Sequence, residues 1–546
     1  MPAFRKPTRF VVPLMALLLG LIGCSKNSET QDANPTQTLR VAIGASPQSL
    51  DPHLITGVPA MKITAALFEP LLVLNTVTEQ PEPGVATKWA VSDNGLHYRF
   101  ELRKNAKWSD GTPVTAKDFV FTWRRILAPG IAAPYAQEYY AISGAEAYHK
   151  GKVRDFSTVG VKATAPDVVE FTLKEPDPLF LKRMAQDSTV PVQEAAVTYY
   201  TAFDDPVSEW TQPPHLVSNG PFILTQWELN KSIVAVKNPH YWDAENVKLD
   251  KIIFIPADSQ ATTERMFRSN QLDFDYGGTI PAEKIATYKQ DAPEKLVIQP
   301  GYATYYYSIN TRKPPFDNLN VRRALAFAVD RDMIVQRITK AGQKPAYTVS
   351  PIDDSYHPSS ALSFNPDKAR EYLAKAGYPN GENFPPITIS YNTNENHRKV
   401  AIAIQQMWKD TLNIDVELVN QEWKVFLATR YSHDYEVCRD AAASTYPDPA
   451  DMLTVFATGH DMNTPNWSNS DYDALIAQAR VETNNETRLA LLAQAEELLL
   501  EQMPVIPIYY YAYSYLISPE VHGMTFSRVE RPDFKSIYIE PSKQRQ

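Results

Sequence analysis

Long apolar runs are scarce in this 546-residue chain. Past the first two dozen residues, none approaches the roughly 18 apolar residues of a membrane-spanning helix. Cysteine is scarcer still, at Cys24 and Cys438 only. A disulfide-stapled scaffold is therefore excluded, and stability must come from buried apolar area. Cations are outnumbered, with 54 Lys and Arg against 63 Asp and Glu and a net charge of −9. That balance lacks a nucleic-acid footprint, so no nucleic-acid partner is expected. Catalytic signatures are missing as well: no G-x-S-x-G elbow, no G-x-x-x-x-G-K-[ST], no H-E-x-x-H, no C-x-x-C and no G-x-G-x-x-G. His357, His397, His433 and His460 are dispersed, none at metal-ligand spacing, so neither metal nor cofactor is expected. Asp110, Asp118 and Asp448 suit turns and helix caps better than catalysis. The balance moves from enzyme toward binding, with an exported hydrolase as the remote alternative.

What is present begins at the N-terminus. Arg5, Lys6 and Arg9 lead into an apolar run from Phe10 to Ile22 that stops at Gly23-Cys24. A charged segment, a core of about 7–15 apolar residues and a small residue at the cut describe an export signal. The core is too short to span ~30 Å of hydrocarbon. Leu21-Ile22-Gly23-Cys24 resembles the bacterial lipobox, which implies cleavage before Cys24 and lipid on its sulfur. The expected layout is a signal at 1–23 and a lipid-anchored polar tether at 24–38, SKNSETQDANPTQT being its polar part. Ser25, where an aspartate commonly marks inner-membrane retention, leans the anchor toward the outer membrane if the source has one. The expected location is the periplasm or cell envelope.

The remaining chain is too long for one core, since cores stop growing near ~250–300 residues. Apolar content of 44% with 11% aromatics is globular. The 29 tyrosines pair apolar rings with polar tips and suit surfaces that receive polar ligands. Strands are expected at 39–43, 97–102, 252–255, 304–310, 387–391, 416–419 and 505–511, a short one at 272–274, and hairpins at 159–173 and 222–236. Helices are expected at 59–74, 115–127, from 179, at 262–270, 321–330, 366–376 and 398–411, and as one long helix at 469–502. Thr115 with Asp118 makes a capping box. Strands alternating with helices give an α/β architecture.

The segment FELRKNAKWSDGTPVTAKDFV resembles the signature of the cluster of ABC-importer extracellular solute-binding proteins, family 5. Ser49-Leu50-Asp51-Pro52, Ser218-Asn219-Gly220-Pro221-Phe222, Tyr305-Tyr306-Tyr307 and Asn420-Gln421-Glu422-Trp423-Lys424 match the same cluster. Within it the chain looks most like the oligopeptide-binding and murein-tripeptide-binding proteins. The resemblance implies a periplasmic-binding-protein-like two-lobed fold (class II, cluster C) with an extra domain and a hinge closing over a cleft. Lobe I is expected at 39–69, 195–302 and 513–546, the inserted domain at 70–194, and the second lobe at 303–512. It also implies a monomer whose partners are an oligopeptide or modified peptide, ABC permease subunits and, through the anchor, a membrane. Extended peptides would be held through their main chain as an added strand.

Carried over position by position, the family pattern assigns a ligand carboxylate to His397, Arg430 and Arg439, because a guanidinium fork suits a carboxylate. The backbone of Thr56, Gly57 and Val58 is expected to pair with ligand main chain. Tyr135, Tyr306, Trp423, Asn463 and Tyr511 are expected to line side-chain pockets. At the amine end the usual aspartate is Thr445, and a hydroxyl cannot neutralise a buried ammonium. Either Asp440 or Asp448 takes that role and ordinary peptides bind, or the ligand lacks a free α-amine or carries an extra acidic group near the arginines, as a modified, cell-wall-derived or signalling peptide taken up or sensed would. The family's bulky Trp is Ala442 here, and its bridged cysteines are Ala303 and Ala443, which leaves room for a larger group.

Overall fold

The computed structural model describes residues 37–540 apart from 56, 208, 278–279, 354, 445 and 530–532. The expected signal, Cys24, Thr56 and Thr445 lie outside the described residues. Among those described, no helix is long and apolar enough to cross a membrane.

An eleven-stranded mixed sheet runs through the molecule. At one end Val416–Gln421, Ile387–Asn392 and Val437–Ala443 lie parallel. At the other, Thr38–Gly44 lies parallel to Lys251–Pro256, which continues into the hairpin of Phe222–Glu228 and Ser232–Lys237. Two long antiparallel strands, Leu296–Ile309 and Val505–Ile517, pass between these halves. Their tyrosines serve two separate cores. Tyr513 and Tyr515 pack with Leu39, Val41 and Phe254 on one side. Tyr305, Tyr307 and Tyr509 pack with Ile389 and Trp408 on the other.

The pairing of the long strands is irregular between Pro300 and Thr304, where the chain changes from one core to the other. Proline removes a ladder donor there. A Cβ on Gly301 would fall 2.4 Å from the Tyr513 ring, so only glycine allows the approach. Directly beyond, Ala303 faces Ala443 in register.

A third core belongs to a four-stranded antiparallel sheet of Ala86–Val91, His97–Leu102, Val168–Thr172 and Val161–Ala165. The helix Ala116–Ile126 covers it through Phe119 and Trp123. That helix starts at the Thr115–Asp118 capping box and carries in its last turn Arg125, wholly buried against Asp51 at 2.5 Å. Asp51 is held by the Ser49–Pro52 turn, so this ion pair fastens the four-stranded unit to the large sheet. Beside it burial, and then the Arg125 charge, depress His53 to about 4, so its imidazole is neutral.

Three local expectations are corrected. The helix expected at 59–74 ends at Leu67, because Glu69-Pro70 breaks it and Leu72–Leu74 pairs as a strand. The helix expected at 469–502 is two, Ser470–Val481 and Asn485–Gln502, since the Asn484 side chain caps a new start on Thr487 N–H. The short strand expected at 272–274 is confined to Phe274–Asp275.

Candidate functional site

A cavity of about 340 Å³ lies between the halves of the large sheet. Val58, Met61 and Lys62 of the helix Val58–Leu67 form one wall. His397, Trp423, Arg430 and Arg439 form the opposite wall, Tyr135 closes an end, and Tyr511 and Tyr513 of a crossing strand form the floor. A side chamber of about 80 Å³ shares Tyr135 and Arg430 and adds Glu138, Tyr306, Asp440 and Asp451. Gly57 and Trp423 border a third recess of about 60 Å³. A cavity as large as the first lies against Glu69 and Lys535, but its charges are already used. Glu69 accepts from Tyr241 and Trp242, each at 2.6 Å, and Lys535 reaches Asp243 at 2.9 Å.

Arg439 separates the first cavity from the rest. It stands on the strand Val437–Ala443 opposite Tyr307, with Ala441 and Ala443 on its own face, so the strand is open around the guanidinium. Nη2 donates to the Tyr511 hydroxyl at 2.8 Å, and the guanidinium lies 5.1 Å from the Tyr305 ring centre. Nε has no partner, and no carboxylate lies within ion-pair distance among the described residues. The residue is 9% exposed. A buried cation answered only by phenols asks for an anion. His397 stands beside it against Tyr305, its Nδ1 also unpartnered. Burial first and the Arg439 charge second push its pKa well down, so it meets a ligand as a neutral hydrogen-bonding group.

Arg430 behaves otherwise. Its Nη1 donates to Asp440 at 2.7 Å and its Nη2 to the Tyr431 hydroxyl at 2.8 Å. The helix Trp423–Tyr431 packs back on the strand Val437–Ala443 and brings the pair together. Arg430 therefore stands at the cavity already neutralised, which corrects its equal billing with Arg439 as a carboxylate receptor. Asp440 is corrected with it. Its oxygens accept from Arg430, Ala441 N–H and the Thr464 hydroxyl, leaving it unsuited to a ligand ammonium. Asp448 is corrected too: Arg488 grips both its oxygens at 2.8 Å, and it lines none of these cavities.

A sheet crossed by two strands, with a closed cleft and an unanswered cation, is an architecture that can be compared with known proteins. Residues 80–464 match the model of bacterial extracellular solute-binding proteins, family 5. The chain belongs to that family. It is similar to the periplasmic oligopeptide-binding protein OppA of Escherichia coli, 37% identical over 503 residues and 90% of each chain. The structure of the E. coli murein tripeptide-binding protein MppA superposes with a TM-score of 0.88 at 33% identity, covering 93% of this chain and 99% of that one. The unliganded open form of MppA, at the same identity and with 94% and 99% coverage, reaches only 0.66. Haemophilus influenzae OppA in complex with the peptide RPPGFSPFR gives 0.86 at 31% identity, with 93% and 99% coverage. The two lobes of this solute-binding protein therefore stand as in the peptide complex, away from the open form.

Of the residues singled out from the sequence, Val58, Tyr135, His397, Trp423, Arg430, Arg439, Ala443 and Tyr511 line the main cavity. Tyr306 and Asp440 border only the side chamber, and Gly57 only the third recess. Asn463 lines none of the three; its amide donates to the carbonyls of Phe456, Ala457 and Trp467 and folds that loop. Lys62, Glu138, Asp451 and Tyr513 went unnoticed in the sequence. For Lys62 there was a signal, a lone charge in the apolar helix VPAMKITAAL. Its ammonium donates to the Tyr276 carbonyl and lies 4.1 Å from the centre of that ring.

Proposed function

We propose that this protein is a lipid-anchored receptor that closes on extended oligopeptides outside the cytoplasm and hands them to an ABC permease. The observation that carries the reading is Arg439: a buried cation with no acidic partner among the described residues, beside a neutral His397, in a cleft shut between two lobes. A ligand carboxylate supplies the missing charge, and a charge-assisted bond in a dry site contributes more than a neutral one. Aromatic walls from Tyr511, Tyr513 and Trp423 give contact area without demanding one sequence. The oligopeptide-binding relatives support this ligand class.

The proposal takes the lobes as 39–69 with 195–302 and 513–546, and 303–512, with 70–194 inserted. Cys24 supplies the anchor, with the outer membrane favoured by Ser25. The receptor acts as a monomer and carries out no turnover. Native mass spectrometry of protein purified from its own envelope tests it. A ladder of co-purified peptides is the expected result; a single species without a carboxylate would overturn it.

A further inference from the structure

Two carboxylates meet at the side chamber from opposite sides of the cleft. Glu138 comes from the short turn Ala136–Tyr139 of the unit built on the four-stranded sheet. Asp451 comes from the helix Pro449–Leu453 that follows the strand carrying Arg439. Glu138 receives one long amide bond, from Gln186 at 3.3 Å. No Lys or Arg lies within ion-pair distance of it among the described residues. Arg183 is near, but its guanidinium is committed to Asp177 at 3.2 Å and touches only the Glu138 backbone carbonyl. Arg430 shares the chamber, but its charge is spent on Asp440.

A separate observation points to a ligand at this place. Arg430 lines the same chamber on a side chain nine-tenths buried, and its Nε–H meets no acceptor. Nearby, the Tyr446 hydroxyl is wholly buried without a hydrogen bond, although it feels the charges of both Asp451 and Glu138. One chamber therefore holds two carboxylates, Asp451 with the Ser444 hydroxyl donating to its Oδ2 at 2.6 Å, together with the Arg430 N–H donor. A group with a positive charge and a carbonyl two atoms away satisfies all three. The first residue of a peptide has that chemistry.

We propose that the α-ammonium of the ligand is held between Glu138 and Asp451, with the adjoining carbonyl on Arg430 Nε–H. This rests on the peptide-capture reading. It moves the amine anchor away from Asp440, Asp448 and position 445, and it gives the ammonium a mechanical role. Two carboxylates brought together as a cleft closes resist closure unless one takes up a proton, and an ammonium between them turns that resistance into a latch.

The empty chamber shows the frustration. Burial first and the Asp451 charge second push Glu138 up to about 8, so at neutral pH it carries a proton. The groups facing it are Asp451, Arg183, Asp177, Tyr135, Tyr139 and Tyr446. An entering ammonium lets Glu138 ionise, and its proton leaves to solvent.

Calorimetry of trialanine and N-acetyl-trialanine tests this at neutral pH, in two buffers of different ionisation enthalpy, with the wild type and Glu138→Gln. Trialanine is expected to bind with net proton release, and acetylation to weaken it on the order of thirtyfold. Glu138→Gln should weaken trialanine by a similar factor and abolish the proton release. An unchanged circular dichroism spectrum of Glu138→Gln would report an intact fold. Equal binding of the two peptides by the wild type overturns the anchor while sparing the peptide reading. So does proton release that persists in Glu138→Gln, or equal weakening of both peptides by it. No binding of either peptide overturns both.

Discussion

Arg439 carries a charge that the described protein does not answer, and the ligand reading turns on it. Arg439→Ala is expected to weaken a tripeptide ending in a free carboxylate on the order of thirtyfold, and its amidated form much less, by calorimetry. Equal losses would count against a carboxylate there. Arg430→Ala should instead cost stability, because Asp440 would be left buried without its partner. At this scale the sequence was informative about residue type and poor about pairing. Arg439, Arg430 and His397 were legible through the family pattern. That Asp440 belongs to Arg430 depends on a helix folding back on a strand. That Asp448 belongs to Arg488 depends on a helix forty positions on. Glu138 sits in the aromatic run AQEYY with no motif around it, and only the tertiary fold shows what it faces.

Among the elements, the helix Ala116–Ile126 and the turn at Asp51 show how a matched motif serves assembly rather than ligand. Arg125→Met leaves Asp51 as an unpaired buried charge and should cost about 3–5 kcal/mol. A drop in Tm of the single variant, largely recovered by Arg125→Met with Asp51→Leu, is the expected calorimetric result. The strand Phe274–Asp275 gives a pH signature. Burial holds Asp275 up to about 7 against the pull of Gly277 N–H and Lys62, whereas an unfolded aspartate titrates near 3.8. The folded state therefore binds the extra proton. Its contribution is full below the unfolded value and is lost as pH rises through about 7. Asp275→Asn should flatten the fall in Tm across that window; an unchanged slope would contradict it.

Periodicity located most helices and strands, because an apolar face needs no knowledge of its partner. It missed the break at Asn484, where an asparagine cap interrupts two helical patterns with no proline or glycine to mark the place. It also passed over the strand Val437–Ala443, since buried Arg439 and Asp440 disguise an interior strand as a surface one.

For the whole molecule, the two-lobed plan followed from chain length and family pattern, but the closed state did not. Closure is a tertiary equilibrium of a few kcal/mol between two packings, set by what fills the cleft. The two long strands that join the halves pair irregularly from Pro300 to Thr304, and Gly301 under the Tyr513 ring keeps them close. The central claim is that a peptide draws these lobes together. Small-angle scattering of the protein stripped of ligand, titrated with trialanine, tests it most directly. The account predicts an open particle that contracts as peptide saturates the cleft; a radius of gyration that stays constant while calorimetry records binding would contradict it.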